Sequence, residues 1–173
     1  MFKIIKKKYY KKAITAALAK RDVSQLNAKM HTIAFLYDGD QVNEVSAYHK
    51  IARSLFVSES KTQFFSFVTF QKNTPSLLRD QFSEKDISFK GRIIGDSAKE
   101  FVATCIDVLI FMLDKEHLHL DTVVAQSRAK FKVGFKGADP RFFDLILSVD
   151  PNDTAAVITE LTKYLKILGK TQS

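Results

Sequence analysis

Residues 107–113, Asp-Val-Leu-Ile-Phe-Met-Leu, are apolar at every position after the first. A half-solvated strand leaves a polar residue at every second position, and this run has none, so both of its faces must be covered. That pattern belongs to a central parallel strand with helices packed on either side. Around it, strand-like and helix-like segments alternate along the 173 residues, the order of a layered α/β protein. Thr32–Tyr37 is a compact apolar run closed by Asp38, Gly39 and Asp40, a strand entering a turn. Val42, Val45, Tyr48, Ala52 and Leu55 recur at helical spacing and predict a crossover helix over 42–57.

Phe64–Phe70 is rich in aromatic and β-branched residues and reads as the next strand, its rings assigned to the core rather than to base stacking. After Pro75, residues 76–82 are expected to make a helical turn or two, and Ile87–Ile94 to be extended again. Ser97–Thr104 is a short helix starting near Asp96, and 116–127 is the next. Lys130–Phe135 and Leu145–Val149 are the last strands. Thr154–Leu168 closes the chain as a helix begun by Asp150 or Asn152, with Pro151 in its first turn and Gly169 at its end. Six strands joined mainly by helices predict a Rossmann-like, mainly parallel sheet flanked by helices. The link between Phe135 and Leu145 is shorter than a parallel crossover usually needs, so that pair is expected to be antiparallel or separated.

Charge is segregated. Residues 1–21 carry eight basic side chains and no acid, and the other 19 basic residues equal the 19 acidic ones, so the formal net charge of +8 resides in the first 21 residues. The chain is therefore expected to divide into a basic N-terminal helix over 1–21 and a charge-balanced α/β domain over 22–173. On a helix, Phe2, Ile5, Tyr9, Ala13 and Ala16 share a face, and lysines project from the rest. Lys6, Lys7, Lys8, Lys11 and Lys12 are the candidate contacts to an anionic surface, either membrane or nucleic acid. A protein assembly is the other expected partner, and a small-molecule partner is left undefined.

The usual chemical motifs are missing: there is no G-x-G-x-x-G after the first strand, no G-x-x-x-x-G-K-[ST], no G-x-S-x-G and no cysteine pair. No catalytic residues, cofactor or metal are expected. His117 and His119 flank Leu118 and point apart on a helix, which fits a solvated helix start better than a metal site. The single cysteine, Cys105, reads as a small buried hydrophobe, and with no disulfide available the expected compartment is the reducing cytoplasm. No apolar run approaches the length of a spanning helix. Ala13–Ala19 is too short and Ala-rich for a secretory h-region. At strand carboxyl ends, Asp38, Asp40 and Asp114 form an acidic rim. That rim supports the rival reading, a ligand-binding protein or enzyme, though Asp beside Gly is first of all a turn former.

The stretches Phe-Ser-Glu-Lys-Asp-Ile-Ser-Phe-Lys-Gly-Arg-Ile from Phe82 and Ser-Arg-Ala-Lys-Phe-Lys-Val-Gly-Phe from Ser127 resemble a small bacterial family of unknown function, as do the later Asp144–Leu147 and Lys163–Leu168 segments. The resemblance covers nearly the whole chain, implies a short α/β protein with a basic N-terminus, and singles out Lys90, Gly91, Lys130, Lys132 and Gly134. From the residues alone, Gly91 and Gly134 fit turns or bulges and the alternate lysines a polar sheet edge. Asp107–Phe135 is also similar to a segment of heptose-type glycosyltransferases, which would make the chain one Rossmann-like half. The combined expectation is a non-catalytic cytoplasmic adaptor docking through its basic helix to a protein assembly or to an anionic surface, nucleic acid or the inner face of the membrane.

Overall fold

The computed structural model describes residues 1–42, 44–73 and 76–171. Strands β1 (Ile33–Asp38), β2 (Thr62–Phe67), β3 (Gln81–Phe82), β4 (Val108–Phe111), β5 (Phe131–Phe135) and β6 (Leu145–Leu147) form one sheet. Its order is β3-β2-β1-β4-β5-β6, with every neighbouring pair parallel. With helices α1 (Phe2–Ala19), α2 (Ser46–Ser54), α3 (Asp96–Ala103), α4 (Leu118–Gln126) and α5 (Thr154–Ile167), this is a Rossmann-like α/β fold.

Strand parity splits the core in two. Ile33, Phe35 and Tyr37 of β1 and Val108 and Ile110 of β4 point to one face, where Tyr48 and Ile51 of α2 and Val157, Leu161 and Leu165 of α5 cover them. Ala34, Leu36, Leu109 and Phe111 point to the other, beneath Ala98 and Phe101 of α3 and Leu120, Val123 and Val124 of α4. Phe65 stacks between Phe82 at 5.2 Å and Phe101 at 4.4 Å, so these rings are core, as their composition implied. Helix α1 lies outside this layer against α4, burying Tyr10 and Ile14.

Three expectations need correction. Ile87–Ile94 is not a sheet strand. It folds back on itself through an Ile87–Ile93 antiparallel bridge and a turn in which Gly91 N–H donates to Ser88 O at 2.9 Å. The edge strand is Gln81–Phe82, inside the segment expected to be helical, while Thr74 and Pro75 before it lie outside the described residues. β5 and β6 are adjacent and parallel, joined not by a helix but by a 3-10 turn at Pro140–Phe142 that packs on α4 and β5. Smaller shifts occur at helix ends. α2 starts at Ser46, after a turn that Val42 N–H closes onto Asp38 O. Asp153 rather than Asp150 or Asn152 caps α5, accepting from Ala156 N–H, and Gly169 takes φ +68° after it as expected.

Candidate docking surface on the basic helix

The apolar face expected for α1 is not the one that packs. Tyr10 and Ile14 are buried, with Ala17 and Leu18 beside them. Phe2, Ile5 and Tyr9, one step around the helix, remain 82%, 40% and 39% exposed. They are not isolated: the Phe89 ring, carried by the 88–92 turn, lies 6.5 Å from Phe2 and 5.7 Å from Tyr9. Ile4 is exposed on a further side of the helix. Two apolar rows thus run along one helix, one locked to the body and one left open beside Phe89.

Lys8 and Lys12 flank this open row and Lys3, Lys7 and Lys11 project from other sides of the helix; all five are exposed, and none of them forms an ion pair among the described residues. Lys6 differs. It is half-buried, with its Nζ 5.3 Å from the centre of the Tyr10 ring, so it belongs to the anchor as much as to the surface. The first turn of α1 contains no acid and no side chain caps it. Its unpaired amides and positive dipole end therefore add to the lysine charge instead of offsetting it.

The anchor beneath is aromatic and buried. Burial, reinforced by the charge of Glu84, pushes the Tyr10 phenol up to about 12, and its hydroxyl lacks a partner among the described residues. His119 stacks on Phe67 at 4.9 Å and meets Tyr10 edge-on at 5.8 Å, and burial holds its imidazole down at about 4. His117 caps α4, its Nδ1 accepting from Leu120 N–H, and burial lowers its pKa despite Asp38 and Asp40 nearby. The two histidines are packing residues, not the solvated helix start their spacing suggested. Among the described residues no group of three or more His, Cys, Asp or Glu side chains is arranged to hold a metal.

At the strand ends the acidic rim is occupied by local structure. Asp38 accepts from Asp40 N–H at 3.0 Å, and Asp40 accepts from the Thr69 amide at 3.0 Å and its hydroxyl at 2.6 Å, tying the β1 turn to the chain leaving β2. Asp114 is exposed, and its carbonyl oxygen fills the space a Cβ at Gly137 would take.

The motif residues divide by role. Lys90 is exposed beside Phe89 and extends the basic surface. Gly91, at φ +77°, lies under α1, where an added Cβ would meet the Ala13 Cβ at 3.0 Å and the Tyr10 Cα at 3.2 Å. Gly134 lets the Phe143 ring lie on β5, in the space where its Cβ would be. Lys130 pairs with Asp107 at 2.7 Å. Lys132 is fully buried and donates to Val124 O at 2.6 Å, which overturns the polar-edge reading: β5 is interior and α4 covers that face. Cys105 is exposed rather than buried. No described helix is long and apolar enough to cross a membrane.

Neither curated proteins nor solved structures yield a significant match to the chain. The family model of DUF6913 matches residues 6–168, from the second turn of α1 to the residue after α5, and so the chain belongs to DUF6913, a family of unknown function.

Proposed function

We propose that this protein is a non-catalytic docking domain that attaches through the N-terminal half of α1 to an anionic lipid surface. The supporting observation is the open cluster of Phe2, Ile5, Tyr9 and Phe89 on a helix whose exposed lysines form no ion pair among the described residues. Lysines near an anionic bilayer contribute roughly 1 kcal/mol each, so Lys7, Lys8, Lys11 and Lys12 together supply about 4 kcal/mol. The rings and the Ile5 side chain add apolar contact at the headgroup boundary. Nucleic acid uses the same lysines but gains nothing from the aliphatic side chains of Ile4 and Ile5. A peripheral position on the cytoplasmic leaflet, where anionic lipids concentrate, follows from the charge. The acidic strand ends support the rival enzyme or glycosyltransferase-like reading less well, because Asp38 already accepts a bond from its own turn and Asp40 from the chain leaving β2.

The test is sedimentation of the protein with phosphatidylserine-containing vesicles, neutral vesicles and RNA. Binding is expected only to the anionic vesicles. The variant carrying Lys7→Glu, Lys8→Glu, Lys11→Glu and Lys12→Glu should lose it at an unchanged melting temperature. Preference for RNA, or equal binding by that variant, overturns the assignment.

A further inference from the structure

Beyond the docking end of α1, the same helix forms one wall of a cleft of 730 Å³, bounded elsewhere by the 91–93 segment and by residues 125–130, which run from the last residues of α4 to the start of β5. The cleft lies by the amino-terminal ends of β4 and β5, away from the strand carboxyl ends where ligands of open α/β sheets usually sit. Its walls carry Lys20, Arg21, Arg92, Arg128 and Lys130 against a single acid, Asp22. Asp22 accepts from Ser24 N–H at 2.8 Å in its own loop and also feels the charge of Arg128 without forming an ion pair with it.

Two of the five cations have structural partners. Arg21 grips Asp144 through two bonds of 2.8 and 2.6 Å, and Lys130 pairs with Asp107. Lys20, Arg92 and Arg128 are in no ion pair among the described residues. Between them the lining is small: Ala13, Ala17, Gly91 and Ala129 leave space in place of side chains. Concave basic walls focus positive potential, and guanidinium groups match phosphate oxygens two at a time. The volume suits a ligand of small-molecule size rather than a helix.

We propose that this cleft binds a phosphate-bearing group with two or more negative charges, held chiefly by Arg92 and Arg128 with Lys20 at the rim. The chemistry is shared by soluble phosphate esters and by phosphorylated lipid headgroups. The site is distinct from the lysines of the docking surface, so each is tested against the other.

Two titrations of the full chain decide it: inorganic pyrophosphate against sulfate at matched ionic strength, and vesicles bearing phosphatidylinositol phosphate against phosphatidylserine at matched charge. Pyrophosphate binding that weakens at least tenfold in Arg92→Ala/Arg128→Ala, but not in the four-lysine variant, supports the proposal with a soluble ligand. A preference for the phosphoinositide that the arginine variant alone abolishes supports it with a headgroup. Cys105 lines the cleft and is the only cysteine, so its alkylation by a neutral reagent gives a readout needing no substitution. The bound phosphate compound should slow that alkylation. No discrimination in either titration, equal binding by the arginine variant, or loss of pyrophosphate binding in the four-lysine variant overturns the proposal, as does unchanged alkylation at saturating ligand.

Discussion

Lys132 enters β5 between Phe131 and Val133 and its side chain ends beneath α4, where its Nζ donates to the Val124 carbonyl and has no acidic partner among the described residues. Burial, helped by the charge of Arg21, brings its pKa down to about 7 against an ordinary 10.5. Between those values the unfolded chain holds the proton more tightly, so this residue makes stability rise with pH across that window. Lys132→Met, which keeps the volume and removes the charge, should stabilise the protein at pH 6 by about 1–4 kcal/mol and far less at pH 10, measured by urea midpoints. Asp107 is the converse case. Burial raises its carboxyl, but bonds from Lys130, the His31 and Thr32 amides and the Thr32 hydroxyl together hold it below the usual range. Asp107→Ala leaves those donors unmatched and should cost about 3 kcal/mol at pH 7. Because the folded value is depressed, the advantage over Ala is present above the ordinary carboxyl pKa and fades as pH falls through the folded one.

At the scale of elements, α1 depends on a turn distant in sequence. The left-handed Gly91 allows the 88–92 turn to sit against Tyr10 and Ala13 and to place Phe89 beside Phe2 and Tyr9. Gly91→Ala combines a left-handed conformation that disfavours a Cβ by roughly 1–2 kcal/mol with contact against the helix backbone. Amides of α1 should then exchange with solvent faster than those of the sheet, and an α1 as protected as in the parent would show that the turn does not hold it. The helix itself was legible as a run of lysines and apolar residues, but which of its two apolar rows is buried was not, since Tyr9 and Tyr10 compete on equal chemical terms. The 87–94 segment reads as a strand because its apolar residues alternate with polar ones. A hairpin-like return produces the same alternation, and a two-residue edge strand leaves almost no pattern. The β5–β6 link was misread for a different reason: Phe142 and Phe143 make a 3-10 turn bury enough surface to stand in for a crossover helix.

The molecule as a whole concentrates its net charge in its first 21 residues, with six of the eight cations on α1, the helix that packs on α4. Screening shortens the reach of that charge from about 10 Å at 0.1 M salt to about 3 Å at 1 M. Vesicle binding should therefore fall steeply with salt while the melting temperature barely moves. Replacing Phe2 and Phe89 by Ser should leave low-salt binding detectable but make it fail at lower salt than the parent, since the apolar contribution is the part that salt does not screen. An identical salt profile would assign attachment to charge alone. The alternation of buried strands and amphipathic helices, the all-apolar 108–113 run and the basic first helix were readable in one dimension, because each is a local pattern with a local physical cause. The cleft that holds Arg92 and Arg128, the burial of Lys132, the exposure of Cys105 and the packing of His117 and His119 were settled only by tertiary structure. Each depends on which distant residues the topology brings alongside, and no local spacing encodes that.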